Sequence, residues 1–422
     1  MLKNIVVCCD GTGNEISENI SNVLKLYRTL RKTNKTEPHQ VAFYDPGVGT
    51  LARPNPWTKL QQDAIAILGL ATGYWLDDNV IAAYEFLISQ YEDDDDIYLF
   101  GFSRGAYAVR VLAGLIHKIG LLAPQQRNLA GAALTAYKQA AGEDTREASE
   151  ISQSRTLNGI QEARQEAPST REDQASQFAR IVSTRWITIT FVGVWDTVAS
   201  IIVPRPDRLY AFSLQTLPNT RENPSVKTFR QAIAVDERRR MFRMDSWKQS
   251  QNFMHNPFSR TNNSEPQDIK QVWFAGVHAD IGGGYPEKES ALSKYPLLWM
   301  IDEAVKSGLS VDTGSVNQLA WGIQRKGSPF TYVAPNFMRD PHDSMSKIWR
   351  LLEWMPKSDK YKEWHARKSF LGHYIPNAEP RFIPPGALIH QSVVQCMQAV
   401  PNYKPVNMPV DYQIIPTTPS PY

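Results

Sequence analysis

Ile97-Tyr-Leu-Phe-Gly-Phe-Ser-Arg-Gly-Ala-Tyr107 is the stretch on which the fold turns. Ile97 to Phe100 is an apolar run of strand length, and it breaks at once into Gly101-Phe-Ser-Arg-Gly105. Beyond it, Ala108, Val111, Leu112, Leu115, Ile116 and Ile119 are spaced to give a helix one apolar face. Strand, sharp turn and helix with Gly-x-Ser-x-Gly at the turn form the arrangement called a nucleophile elbow. Such a turn lifts the hydroxyl of Ser103 above the sheet edge. It needs very small residues two before and two after, and Gly101 and Gly105 meet that need. The amino terminus of the following helix favours negative charge developing at Ser103.

Working outward, Ile5-Val-Val-Cys-Cys9 is a second short apolar run, ending in Asp10-Gly-Thr-Gly-Asn14. Val41 to Tyr44 is a further expected strand, residues 63–90 a helical stretch, and Asp93 to Asp96 a solvated turn. Strand composition returns at Trp186 to Trp195 and at Val272 to Val277. This alternation predicts an α/β fold, α/β-hydrolase-like, with a mostly parallel central sheet flanked by helices. Residues 1–400 are expected to form one catalytic domain. Within it, 125–180, rich in Gln, Ala, Glu, Arg and Ser, is expected to be a helical, partly mobile insertion or cap, and 290–400 to supply helical additions. Residues 401–422 hold six prolines and predict an extended tail over the surface.

Bulk properties exclude several classes. Of 422 residues, 42% are hydrophobic and 21% charged, and 46 basic against 43 acidic residues leave a net +3. Nothing here supports nucleic-acid binding. Three cysteines, with Cys8 and Cys9 adjacent, make no disulfide framework and suit a reducing compartment. Five apolar residues at Ile5–Cys9 are too few for a signal peptide, and no run reaches the ~18 residues of a membrane span. The expectation is a cytoplasmic chain as synthesised, with export requiring a specialised secretion system.

A serine hydroxyl is a poor nucleophile until a histidine accepts its proton and an acid orients that histidine. In this fold the expected chain order is serine, acid, histidine, each at a strand's carboxyl end. Asp196 follows Val194-Trp195, and His278 follows Ala275-Gly-Val277. A carboxylate in Asp196's position could instead cap a turn, and His278 could be a buried structural residue. His390, in Ala387-Leu-Ile-His390, is the reserve histidine. The oxyanion hole is expected from the amides of Arg104, Gly11 and Thr12, with Asp10 shaping the loop, although Asp10-Gly11 could also be a plain turn. Asp10, Asp196, His278 and Asp280 together lack metal-ligand spacing, so no metal and no organic cofactor is expected. The Asp-x-Asp-Gly-Thr loop of haloacid-dehalogenase-type phosphatases would need its first Asp at position 8, which is Cys8.

Cys8-Cys-Asp-Gly-Thr-Gly-Asn14, Gly101-Phe-Ser-Arg-Gly-Ala-Tyr107, Val194-Trp-Asp-Thr-Val198 and Gly276-Val-His-Ala-Asp-Ile-Gly-Gly-Gly-Tyr285 together carry a resemblance. The sequence resembles an uncharacterised α/β-hydrolase domain family that includes phospholipase effectors of the bacterial type VI secretion system. The resemblance spans residues 8 to 285. It implies a triad on Ser103, Asp196 and His278 and hydrolysis of an ester, phospholipid acyl esters foremost; Asp280, two residues after His278, is expected to support the site. Two other readings stay open: a hydrolase of non-lipid esters, and a non-catalytic scaffold on a hydrolase fold. Ile348-Trp-Arg-Leu-Leu-Glu-Trp-Met355, among Lys347, Arg350 and Lys357, suits transient contact with a membrane surface, although such a stripe is more often a helix packed on the sheet or lining the pocket.

Overall fold

Buried β-branched and aromatic runs in this chain have nowhere to go but the middle of a sheet covered on both sides, and that is where they lie. A computed structural model describes residues 2–11, 19–33, 35, 37–47, 74–140, 173–198, 202–204, 212–214, 217–255, 264–359, 362–364, 367–418 and 420–421. Its centre is an eight-stranded sheet, made of β1 (Lys3–Cys9), β2 (His39–Asp45), β3 (Asp96–Phe102), β4 (Ile189–Trp195), β5 (Val226–Ala234), β6 (Asp268–Phe274), β7 (Ala387–His390) and β8 (Tyr412–Ile415). The spatial order is β8-β7-β6-β5-β4-β3-β1-β2, and every neighbouring pair is parallel.

Register is what aligns the working edge. Cys9 pairs with Gly101, and Phe102 pairs with Trp195. The residues that follow, Asp10, Ser103 and Asp196, therefore leave adjoining strands at one edge of the sheet.

Helices close both faces. α1 (Asn22–Thr29), α2 (Tyr74–Gln90), α3 (Arg104–Ile119) and α4 (Gln174–Val182) precede the late helices α5 (His278–Gly282), α6 (Lys294–Lys306), α7 (Thr313–Leu319), α8 (Lys347–Glu353) and α9 (Gln391–Ala399). Val80, Tyr84 and Leu87 of α2 and Val109, Leu112 and Ile116 of α3 bury against Val7, Leu99 and Val192. Further along that face, Val393 and Cys396 of α9 meet Ile233 and Trp273. On the opposite face Leu26 of α1 and Leu297 and Ile301 of α6 pack on Val6, Phe100 and Phe191. No helix of the described residues is long and apolar enough to cross a membrane.

Three expectations change. β5 was not foreseen because Lys227, Arg230 and Gln231 interrupt its apolar run. Lys227 points to solvent, while the other two are satisfied inside: Arg230 donates to Glu303 at 2.6 Å and to Asp268 at 2.6 Å, and Gln231 accepts from Arg110 at 2.9 Å. The tail 401–422 is not simply laid over the surface, because Tyr412–Ile415 adds an edge strand in register with Ala387–His390. The segment 290–400 is only partly helical, with turns and coil over 320–346 and a short antiparallel pair of Lys357–Ser358 with His373–Tyr374. In the expected insertion, 124–140 and α4 are helical. Residues 141–172, and 63–73 of the early helix, lie outside the described residues.

A Cβ on Gly105 would stand 2.1 Å from the Cys9 carbonyl oxygen and 2.5 Å from that of Asp10, and backbone cannot step aside. Gly105→Ala is expected to destabilise the fold by about 3 kcal/mol, read as a lowered midpoint in chemical denaturation. A second prediction concerns acid. Burial pushes the imidazole of His390 down to about 3 and that of His117 to about 4. The unfolded chain binds protons below ~6.5 that the folded chain refuses, so stability falls as pH drops from ~6.5 toward those values. His390→Asn retains a helix-capping side chain and should lose less thermal stability than the wild type between about pH 7 and about pH 4.5. Equal losses would show that His390 is not one of the groups responsible.

Candidate active site

β3 runs straight into α3 through one residue, Ser103, whose φ of 57° and ψ of −119° lie where side chains are rarely found. The turn is held by the Ser103 N–H donating to the Trp195 carbonyl at 3.1 Å, and Gly101 and Gly105 allow strand, helix and the β1 end to approach. Asp196, one strand over, also has a positive φ, 41°. Backbone strain at two adjoining strand ends is the sort that accumulates at functional sites. Ser103 remains half-buried at the mouth of this edge.

Asp196 is buried to 1% exposure, and its carboxylate is saturated with donors. Oδ2 lies 2.5 Å from His278 Nδ1. Oδ1 accepts from the Ala234 N–H at 3.0 Å. The Arg381 guanidinium forks across both oxygens at 2.5 and 3.0 Å. Burial alone would raise this carboxyl, but Arg381 and His278 more than reverse it and hold it well below the usual carboxylate range. An ionised carboxylate only accepts, so Nδ1 of His278 carries the proton and Nε2 is left as the acceptor. Burial pushes the His278 imidazole below its ordinary value, while the bond to Asp196 pulls the other way. The imidazole is neutral at neutral pH.

The ring itself is wedged between two aromatics. Phe102, which immediately precedes Ser103, lies 4.6 Å away between centroids, and Phe242 meets the ring edge-on at 4.8 Å. Gly282 lets α5 press on Phe102, since a Cβ there would fall 2.0 Å from that ring. The His278 N–H donates to Glu237 at 3.2 Å. Glu237 is itself buried, and Arg239 more than offsets that burial, holding the carboxyl at about 2.

The loop after β1 is organised by Asp10, which accepts from the Gly11 N–H at 2.7 Å, from Tyr44 Oη at 2.8 Å and from Ser21 Oγ. The Gly11 amide, expected to face an oxyanion, is thus engaged with the Asp10 side chain. Thr12 lies outside the described residues. Arg104 opens α3 directly after Ser103. Asp280 does not touch the His278 ring. It accepts from the Val277 N–H at 3.0 Å and lies 2.7 Å from His342 Nδ1, bracing the turn that begins α5. The reserve histidine, His390, is elsewhere: it caps α9, bonding Ser392 at 2.8 Å, and stacks on Phe274 at 4.5 Å. Its strand, β7, stands four places from β3 in the sheet, whereas β4 is adjacent to β3.

Arg381, Glu237, Phe242 and His342 were not singled out in the sequence. Arg381 is 185 residues from Asp196 and belongs to no local pattern that could have revealed it. No group of three or more His, Cys, Asp or Glu among the described residues is placed to hold a metal ion.

The family described as the type VI secretion phospholipase effector Tle1-like catalytic domain matches residues 3–303. An uncharacterized protein of Saccharomyces cerevisiae is 30% identical over 247 residues, covering 57% of this chain and 32% of that protein. The chain thus spans about a third of the length of that relative. Among solved structures, an uncharacterized protein from Pseudomonas aeruginosa is 17% identical with a TM-score of 0.36, covering 74% of this chain and 46% of the other. The Tle1 effector bound to the VgrG spike of the type 6 secretion system is likewise 17% identical, with a TM-score of 0.32, covering 67% of this chain and 51% of that one. With the match running from β1 through α5 and most of α6, the chain belongs to the Tle1-like phospholipase effector catalytic domain family.

Proposed function

We propose that this protein is a serine esterase that cleaves acyl esters of phospholipids through Ser103, His278 and Asp196. The observation that carries the proposal is the 2.5 Å contact between His278 Nδ1 and the buried Asp196 carboxylate, with the imidazole packed on the residue preceding the strained Ser103. In this reading Nε2 of His278 takes the Ser103 proton as Oγ attacks the acyl carbonyl. Asp196 stabilises the imidazolium that forms. In this reading the amide of Arg104, at the amino terminus of α3, serves the developing oxyanion. The protonated imidazole then releases the alcohol, and water, deprotonated by the same nitrogen, frees the acyl group.

Phospholipid as substrate follows from the family, and one surface feature supports it. Lys347, Arg350, Leu351 and Trp354 recur at i, i+3, i+4 and i+7 along α8 and its end. Leu351 is 72% and Trp354 64% exposed, while Trp349 is buried against Phe242 at 5.6 Å, next to His278. Residues 347–372 carry seven Lys and Arg against three Asp and Glu, a net +4 in a chain whose total is +3. Apolar side chains set among cations suit the interface of an anionic bilayer. Export by a type VI apparatus is part of the same reading, because the family is one of secreted effectors.

Two experiments test these readings. A fluorophosphonate should label the wild type and not Ser103→Ala, and Ser103→Ala or His278→Ala should lower kcat/KM by about a thousandfold or more. A folded wild type that never labels would favour the scaffold reading, and labelling with hydrolysis of short aryl esters alone would favour a non-lipid ester. Separately, Leu351→Ser combined with Trp354→Ser should weaken sedimentation with phosphatidylglycerol vesicles and slow hydrolysis of lipid in them. Turnover of a soluble aryl ester should stay unchanged. Undiminished vesicle binding would rule out this face as the contact.

A further inference from the structure

The family match ends at residue 303, yet the acid at the centre of the site is gripped by a side chain from residue 381. Arg381 is 1% exposed, and all of its donors point inward. Beyond the fork onto Asp196, Nη1 donates to the Ala234 carbonyl at 3.3 Å, and Nε reaches the Phe242 carbonyl at 3.2 Å, which Nη2 also contacts. One guanidinium therefore fixes the carboxylate plane, the end of β5 and the backbone that carries Phe242 against the imidazole. Its own main chain is anchored, since Asn407 Nδ2 donates to the Arg381 carbonyl at 3.0 Å and to that of Val235 at 3.0 Å. Glu379, two residues back, is buried and accepts from Tyr374 Oη at 2.8 Å.

We infer that Arg381 is a positioning residue of the hydrolytic site, supplied by the part of the chain that lies beyond the family match, and that it sets both the orientation and the proton affinity of the Asp196–His278 pair. The inference rests on the triad reading given above and deepens it. A carboxylate that orients an imidazole needs one oxygen in the ring plane. Two parallel N–H bonds from a planar fork define that plane in a way a single point charge does not. The second effect is electrostatic. The charged groups around the pair are Glu237 and Arg239 from the loop after β5, Asp280 on α5 itself, and Arg381, which in turn faces Glu363. Taking a cation away from a buried, coupled acid–imidazole pair makes uptake of a proton by the pair easier, whichever member receives it.

Arg381→Gln and Arg381→Lys, made in the full chain, test this. In Arg381→Gln the acid limb of kcat/KM should move up by about one unit or more, with kcat reduced about tenfold or more and KM nearly unchanged. Arg381→Lys should return the acid limb toward the wild-type position while kcat stays several-fold low, because a point charge replaces the fork. A merely structural residue would not separate those two quantities. The titration of His278 followed by NMR gives the same shift without any turnover, so failure of the triad reading and failure of this inference are distinguishable. Absence of labelling at Ser103 sinks the former, and an unmoved His278 titration in folded Arg381→Gln sinks the latter. If Arg381→Gln does not fold, Arg381→Lys decides alone, and wild-type kcat in that variant overturns the assignment.

Discussion

A buried carboxylate with four protein donors, Asp196, ties the working edge of this molecule together. Burying such a charge costs several kcal/mol unless it is paired and bonded, and here the pairing recruits remote parts of the chain. Ala234 comes from the end of β5, His278 from the start of α5, and Arg381 from the C-terminal segment. Each is fixed by the need to satisfy that one group. The imidazole of His278 is thereby fixed beside Phe102, the residue before Ser103, with its Nδ1 turned to the carboxylate.

A similar economy holds on the other side of the site. Asp10 gathers the Gly11 amide, Tyr44 and Ser21, and Ser21 caps α1. Asn22, the next residue, donates to the carbonyls of Ile281 at 2.8 Å and Ser293 at 2.9 Å, so the loop after β1 and the turn carrying His278 share one anchor. Glu287 reinforces it by holding Lys25 at 3.0 Å and Lys294 at 2.6 Å. A buried cluster of this kind contributes little net stability when compared with apolar packing, but breaking it is costly. Its effect is to fix how α1 and α6 meet around the Gly282–Gly284 turn.

The late part of the chain, by contrast, joins the site to the surface. Trp349 rests on Phe242 and Phe242 on His278, while the outward stripe of the same short helix exposes Leu351 and Trp354. The backbone of Phe242 is in turn held by Arg381. The apolar exterior and the acid–imidazole pair are thus joined by direct packing of Trp349 on Phe242 and Phe242 on His278, with Arg381 holding the Phe242 backbone.

Much of the fold was legible because burial on both faces writes itself into composition. Ile5–Cys9, Ile97–Phe100 and Phe191–Trp195 are apolar without alternation, so their strands, their parallel order and the polar residues that end them could be read directly. The sharp strand-to-helix turn at Ser103 was legible as well, since Gly101 and Gly105 answer a local steric demand. What the sequence could not express was any partner chosen by distance in space. β5 hid behind Arg230 and Gln231, whose charge and amide find their side-chain partners on other elements. His278 and His390 both follow apolar runs in the sequence, and only the order of β6 and β7 in the sheet decided which ring meets Asp196. Arg381 was beyond reach altogether, because nothing in Glu379-Pro-Arg381 signals a fork aimed at a carboxylate 185 residues away. Local sterics and hydrophobic periodicity are properties of neighbours in the chain, whereas the pairing of buried charges is a property of the folded molecule.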